Sequence, residues 1–136
     1  MTDIIRERLG VCVTLAGIAA AAPSVWHTAT HITDATYRSP RLRYGERHVQ
    51  YHMAREVLVT TGALTAVGIG ALAGPGRSSG LWSAMAAAAG GYCAAMWSGG
   101  PATGVWAPNR KAFLVHATAT AGLLGGVALL RPAGSR

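Results

Sequence analysis

Two triplets of titratable residues have the spacing of successive helical turns. Each contains two histidines four residues apart, followed by a carboxylate about one turn further along. The triplets are His27, His31 and Asp34, and then His48, His52 and Glu56. At about 3.6 residues per turn, each triplet falls on one face of a helix. Imidazole and carboxylate groups in this pattern predict either metal binding or proton transfer.

The fifth histidine lies in the last apolar stretch of the chain. His116 stands about one and a half turns into that stretch, which otherwise contains apolar and small residues. If the two triplets end one helix and begin the next, a hairpin returns them to the same side of a membrane, and the last helix starts on that side. The topology therefore predicts all five histidines in one layer of the protein, near Asp34, Glu46 and Glu56.

Three classes of function fit these residues. The first is a metal or haem site, with iron, zinc or copper held by the histidines and completed by Asp34 or Glu56, in an oxidoreductase acting on an apolar substrate. The expected metal ligands are His27, His31, His48, His52 and His116. The second is a metal-free isomerase or cyclase with Asp34 and Glu56 as catalytic residues. The third is a non-enzymatic subunit of a larger membrane complex, in which these polar residues only line an interface.

Four uncharged stretches must position these side chains. They predict membrane-spanning helices over about 9–30, 54–74, 80–98 and 111–130. A helix of about twenty predominantly apolar residues crosses the hydrocarbon core and satisfies its own backbone hydrogen bonds there. We therefore expect an all-α protein: one domain over residues 1–136, folded as an up-down-up-down four-helix bundle in the membrane. A polar hairpin connection joins the first two helices.

Composition supports the membrane assignment and excludes a nucleic-acid-binding protein. Apolar residues make up 51% of the chain and charged residues 12%, about half the charged share of an ordinary soluble domain. The net charge is +7, but the basic residues are confined to the segments between apolar stretches, and no nucleic-acid motif is present. The expected partners are the lipid bilayer, an apolar small molecule, and another membrane protein or a second copy of the chain.

The polar segment between the first two helices is rich in arginine and tyrosine. Over residues 34–55 it carries five arginines with three tyrosines among them. This composition is typical of a solvated anchor in the headgroup region; the alternative is binding of anionic lipid headgroups or of an acidic partner. The excess of basic residues in the first and third connections favours placing these in the cytoplasm of a bacterium, with both termini together on the opposite side.

Two segments carry a resemblance to a known group of proteins. The stretches WHTATHITDATYRSPRLR, from Trp26 to Arg43, and ERHVQYHMARE, from Glu46 to Glu56, resemble an uncharacterised family of small four-helix bacterial membrane proteins. In that family His and Asp close the first helix, and His-x-x-x-His opens the second. The resemblance covers the first half of the chain and implies a fold and a location, but no activity.

Overall fold

The all-α prediction is confirmed. The structure is a computed structural model that describes residues 3–41 and 43–132, and the basic residue Arg136 lies outside this part of the chain. Within these residues there are four long helices and no strand. The elements are α1 (Asp3–His31), a 3-10 turn (Ala35–Tyr37), α2 (His48–Leu72), α3 (Ser79–Trp97), the short α4 (Gly99–Thr103) and α5 (Arg110–Leu129).

Local sequence accounts for several of the helix boundaries. After α2, Gly74 adopts a positive φ of 79°, which ends the helical geometry at little steric cost. The hydroxyl of Ser78 then accepts a hydrogen bond from the Leu81 backbone N–H and caps the start of α3. Asn109 caps α5 in the same way, with its side chain accepting from the Ala112 N–H.

The first and last long helices make the closest pairing in the bundle. A Cβ atom added to Gly17 of α1 would lie 2.5 Å from the backbone nitrogen of Leu123 in α5, so only glycine permits this approach. Further along, Gly10 lies against Leu130, so α1 and α5 run in opposite directions. Gly122 lies against Gly17 across the same interface. Small residues at such a crossing allow van der Waals contact between backbones, which is the main attraction between helices in lipid.

The interior is built from small and medium-sized side chains, while many large apolar side chains point outward. Buried residues include Ala21, Val67, Met85, Ala89 and Leu123. The exposed large apolar residues on the long helices include Leu15, Leu58, Val59, Ile69, Leu72, Leu114 and Leu124. Three helices, α1, α2 and α5, are long and apolar enough to cross a membrane. An apolar outer surface over such helices indicates a membrane protein.

A buried arginine joins three helix ends on the side of the bundle away from the histidines. The side chain of Arg77 is only 2% exposed and forms an ion pair of 3.0 Å with Glu7 near the start of α1. It also donates hydrogen bonds to the backbone carbonyls of Gly70, Ala71 and Leu130, at the ends of α2 and α5. These terminal carbonyls have no partner within their own helices, so Arg77 supplies the missing donors and a favourable charge.

Candidate functional site

The two histidines of the first triplet form a pair at the end of α1. Their rings meet edge to face with centroids 4.3 Å apart. The His31 ring also stacks on Tyr37 at 4.0 Å, and the Nε2 atom of His31 shares a hydrogen bond of 2.9 Å with the Tyr37 hydroxyl. His31 is therefore held by a tyrosine of the connection, whereas His27 lies one turn deeper in the helix.

Asp34 does not share their helix face, contrary to the expected spacing. Helix α1 ends at His31, and Asp34 instead caps the following 3-10 turn. Its carboxylate accepts hydrogen bonds of 2.8 Å from both the backbone N–H and the hydroxyl of Thr36. The short aspartate side chain favours this local bond over continuing the helix. The Thr36 backbone N–H, then its hydroxyl, hold the pKa of Asp34 below the ordinary aspartate value, and the nearby His31 adds a smaller lowering.

The histidines of the second triplet form a separate pair at the start of α2. The Nε2 atoms of His48 and His52 lie 3.0 Å apart in a hydrogen bond, so one nitrogen carries the proton and the other accepts it. Tyr44 and Tyr51 flank His48, with ring centroids at 5.3 and 6.4 Å. His52 is exposed. The pair thus forms part of an aromatic surface on the outside of α2.

Helix rotation explains why the two pairs do not meet. Gln50, which is buried, donates a hydrogen bond of 3.0 Å to the backbone carbonyl of Asp34 and so faces the segment that directly follows α1. It stands two residues from both His48 and His52, which corresponds to about 200° around the helix. The histidine pair of α2 therefore lies on the face opposite the one that contacts the end of α1.

His116 joins His27 instead. Both residues line one cleft between α1 and the start of α5, with a volume of about 550 Å³. The Nδ1 atom of His116 is buried and has no hydrogen-bond partner within the described ranges. Its ring packs edge-on against Trp97 of α3, with centroids 5.5 Å apart. The remaining lining residues are Pro23, Ser24, Trp26, Thr28, Pro108, Asn109, Lys111, Ala112 and Val115.

Glu56 lies at a second, much smaller cavity between α1, α2 and α3. This cavity has a volume of about 30 Å³, which is enough for a water molecule. Tyr92 also lines it, and the Tyr92 hydroxyl is buried without a partner among the residues that the structure describes. Ser24 and Thr28 of α1 line both this cavity and the larger cleft. The two spaces therefore adjoin at the helical turn that carries these hydroxyl groups.

Four of the five histidines form two separate pairs in the structure, and the fifth lines a cleft with a member of one pair. Within residues 3–41 and 43–132, no three histidine, cysteine, aspartate or glutamate side chains are grouped to hold one metal ion. The pairs are His27 with His31 and His48 with His52, and His116 lines the cleft with His27. A metal site built from all five, with Asp34 or Glu56 added, stays a prediction.

Two polar features of the interior were missed by the sequence patterns. Tyr92 is a single aromatic hydroxyl inside an Ala- and Gly-rich helix, and its position there is the only signal that could have drawn attention to it. Ser24 and Thr28 stand one turn apart on α1, as do the histidines, but hydroxyl residues are common in helices and carry little information alone. Together with Glu56 they add a polar lining beside the histidine-lined cleft.

Comparisons with known proteins add no further constraint. No family model, no curated protein and no solved structure matches the chain. Any function must therefore be argued from the geometry alone.

Proposed function

We propose that the chain is a four-span membrane protein that binds an apolar or amphipathic small molecule in the cleft between His27 and His116 and exchanges protons with it. In this proposal α1, α2, α3 and α5 all cross the bilayer in up-down-up-down order. Helix α3 has 19 residues, none of them charged, and about 1.5 Å per residue gives it a length close to the hydrocarbon thickness. The membrane is the bacterial cytoplasmic membrane, with the histidine-bearing ends of the helices on the cytoplasmic side.

The observation that carries this proposal is the unpaired, buried Nδ1 atom of His116 beside His27 in one cleft. A buried polar atom without a partner is costly, so a protein that retains one commonly uses it to bind or react. The volume of about 550 Å³ lies within the range of small-molecule sites. Imidazole is the side chain best suited to taking up and releasing a proton near neutral pH.

The adjoining cavity supplies a second acid–base group to the proposed site. Glu56 and Tyr92 line the small cavity together with Ser24 and Thr28. Hydroxyl groups and a water molecule can relay a proton between a carboxylate and an imidazole. Glu56 is thus the carboxylate we assign to the reaction, whereas the carboxylate of Asp34 is engaged by the backbone N–H and hydroxyl of Thr36. A metal-free isomerase or cyclase of an apolar substrate is the reaction class that uses such groups.

The proposal is tested by asking what the protein retains from its native membrane. Protein extracted into lipid nanodiscs is analysed by mass spectrometry for bound molecules other than bulk phospholipid. Ala112→Trp fills the cleft and should abolish retention, while Ala121→Trp, on an exposed part of the same helix, should not. His116→Gln should retain the molecule but fail to convert it. Absence of any enriched molecule in the wild type, or its persistence in Ala112→Trp, would overturn the proposal.

A second candidate function, metal binding, is favoured by the geometry of the α2 pair. Two imidazole nitrogens bound to one tetrahedral metal ion at about 2.0 Å are roughly 3.3 Å apart. The Nε2 atoms of His48 and His52 are 3.0 Å apart, so a zinc or copper ion could replace their shared proton after a small adjustment. Calorimetric titration of the purified protein with Zn²⁺ tests this idea. His48→Gln and His52→Gln should each remove binding and His27→Gln should not; equal binding by all variants would refute it.

A further inference from the structure

The connection between α1 and α2 forms a groove with two arginines at the histidine end of the bundle. Arg38 follows the 3-10 turn and Arg47 immediately precedes α2, and both line the same groove of about 400 Å³. Its other lining residues combine apolar and hydrogen-bonding side chains. They are Ile32, Thr33, Gln50, Tyr51 and Ala54. The groove therefore combines two guanidinium groups with an apolar wall and lies where the apolar part of α1 ends.

Hydrogen bonds within the connection fix the two arginines near each other. The backbone N–H of Ser39 donates to the carbonyl of Glu46 at 3.0 Å, which places residues adjacent to the arginines side by side. Gln50 ties the other end of the connection by donating to the carbonyl of Asp34. An arrangement held by the backbone loses less conformational entropy when a ligand binds than two arginines on a free loop would.

The charges around this groove favour an anion. The nearest carboxylate to Arg47 belongs to Glu46, at 4.0 Å from Nε, and both side chains are largely exposed, so this pair is weak. The carboxylate of Asp34 is already engaged by Thr36. The first backbone N–H groups of α2, a helix of 25 residues, add a positive end of the helix dipole beside Arg47.

We propose that this groove binds the phosphate group of an anionic membrane phospholipid. The two guanidinium groups hold phosphate oxygens, for which their planar donor geometry is well suited. The apolar wall formed by Ile32 and Ala54 receives the start of an acyl chain, and the Tyr51 ring lies at headgroup depth. An apolar wall contributes nothing to holding free inorganic phosphate, which is why we assign the groove to a lipid. The inference requires membrane insertion but does not require the reaction proposed for the cleft.

Native mass spectrometry of delipidated protein tests this assignment. Phosphatidylglycerol and phosphatidylcholine with identical acyl chains are added in turn, and the wild type should retain the anionic lipid more strongly. A hydrogen bond between charged groups changes a binding constant by about tenfold or more, so Arg38→Gln with Arg47→Gln should weaken retention roughly 100-fold. The control removes the same charge outside the groove, through Arg41→Gln with Arg110→Gln, and should retain the preference. Circular dichroism verifies folding, and the single variants, each about tenfold weaker, replace the pair if it does not fold.

Four results would overturn the lipid assignment. Equal retention of the two lipids by the wild type, or equal losses in the control variant, would mean that no specific groove is involved. Displacement of the anionic lipid by a large molar excess of inorganic phosphate would assign the groove to free phosphate. Tighter binding of a polyglutamate peptide than of the lipid would assign it to an acidic protein. Carbonate extraction of membranes, which reports insertion alone, separates these failures from a failure of the membrane assignment.

Discussion

Replacing Arg77 with alanine should destabilise the protein far more than replacing any exposed arginine. The side chain of Arg77 is 2% exposed and makes its ion pair with Glu7 from the turn between α2 and α3. It also donates to three backbone carbonyls that belong to the ends of α2 and α5. Alanine removes all of these bonds at once and leaves Glu7 without its partner.

The size of the destabilisation follows from the groups that Arg77→Ala leaves without a partner. Breaking a buried ion pair by removing one member costs about 3–5 kcal/mol. The Glu7 side chain is 21% exposed, so water can rehydrate part of the stranded carboxylate, which favours the lower end of that range. We expect a loss of about 3 kcal/mol in the free energy of unfolding. Lysine retains the charge but cannot reach all the acceptors with one nitrogen, so Arg77→Lys should recover only part of the loss.

The assay is reversible unfolding in mixed detergent micelles, with helicity followed by circular dichroism. Arg6→Ala is the matched control, because Arg6 also pairs with an acid on α1 but does so at 3.7 Å on the exposed surface. That change should cost no more than about 0.5 kcal/mol. If the two variants differ by less than about 1 kcal/mol, the argument that Arg77 fastens the three helix ends is wrong.

Three further predictions concern helix packing, the Asp34 cap and the small cavity. Gly122→Ala should destabilise the protein, since its Cβ would lie 2.5 Å from the α1 backbone. Gly125→Ala, with open space around the new Cβ, should stabilise it by up to about 1 kcal/mol. Equal effects of the two variants in thermal melts would contradict this. The lowered pKa of Asp34 gives a stabilisation that is present above the unfolded-state pKa and is lost as the pH falls through the folded-state pKa. Thr36→Val should raise that pKa toward the ordinary value, and an unchanged carboxyl titration by NMR would be the opposing result. Tyr92→Phe should leave stability unchanged or raise it, because its hydroxyl has no partner to lose within the described chain, and a loss above about 1 kcal/mol would reveal one.

The helices were predictable from sequence, but the end of the first helix was not. Apolar stretches indicate long helices, and the four long helices lie on those stretches. Three of them, α1, α2 and α5, are long and apolar enough to cross a membrane. The spacing of the first triplet places Asp34 on the same helix face as His27 and His31, but α1 ends at His31. The difference comes from the Asp34 side chain, which binds the Thr36 N–H instead of extending the helix. Sequence periodicity cannot predict the outcome of a competition between so few side-chain and backbone hydrogen bonds.

The two histidine pairs of the candidate site were predictable from sequence, but the positions of the pairs relative to each other were not. One-turn spacing correctly identified the pairs His27 with His31 and His48 with His52. Spacing says nothing of how α2 is rotated about its own axis, which in the structure turns Gln50, and not the histidines, toward Asp34. In the same way a lone loop arginine gives no sign of being buried, because the burial of Arg77 depends on where three distant helix ends meet.

The close contact of α1 with α5 has a consequence for biosynthesis. Helix α1 is synthesised before α5, so it meets its closest neighbour only after the intervening helices have been made. Until then the surface of Gly17, and the buried Thr14 near it, are exposed to lipid. A chain truncated before α5 would therefore lack the helix that packs against α1. A separately expressed α5 should be able to bind at this unoccupied interface.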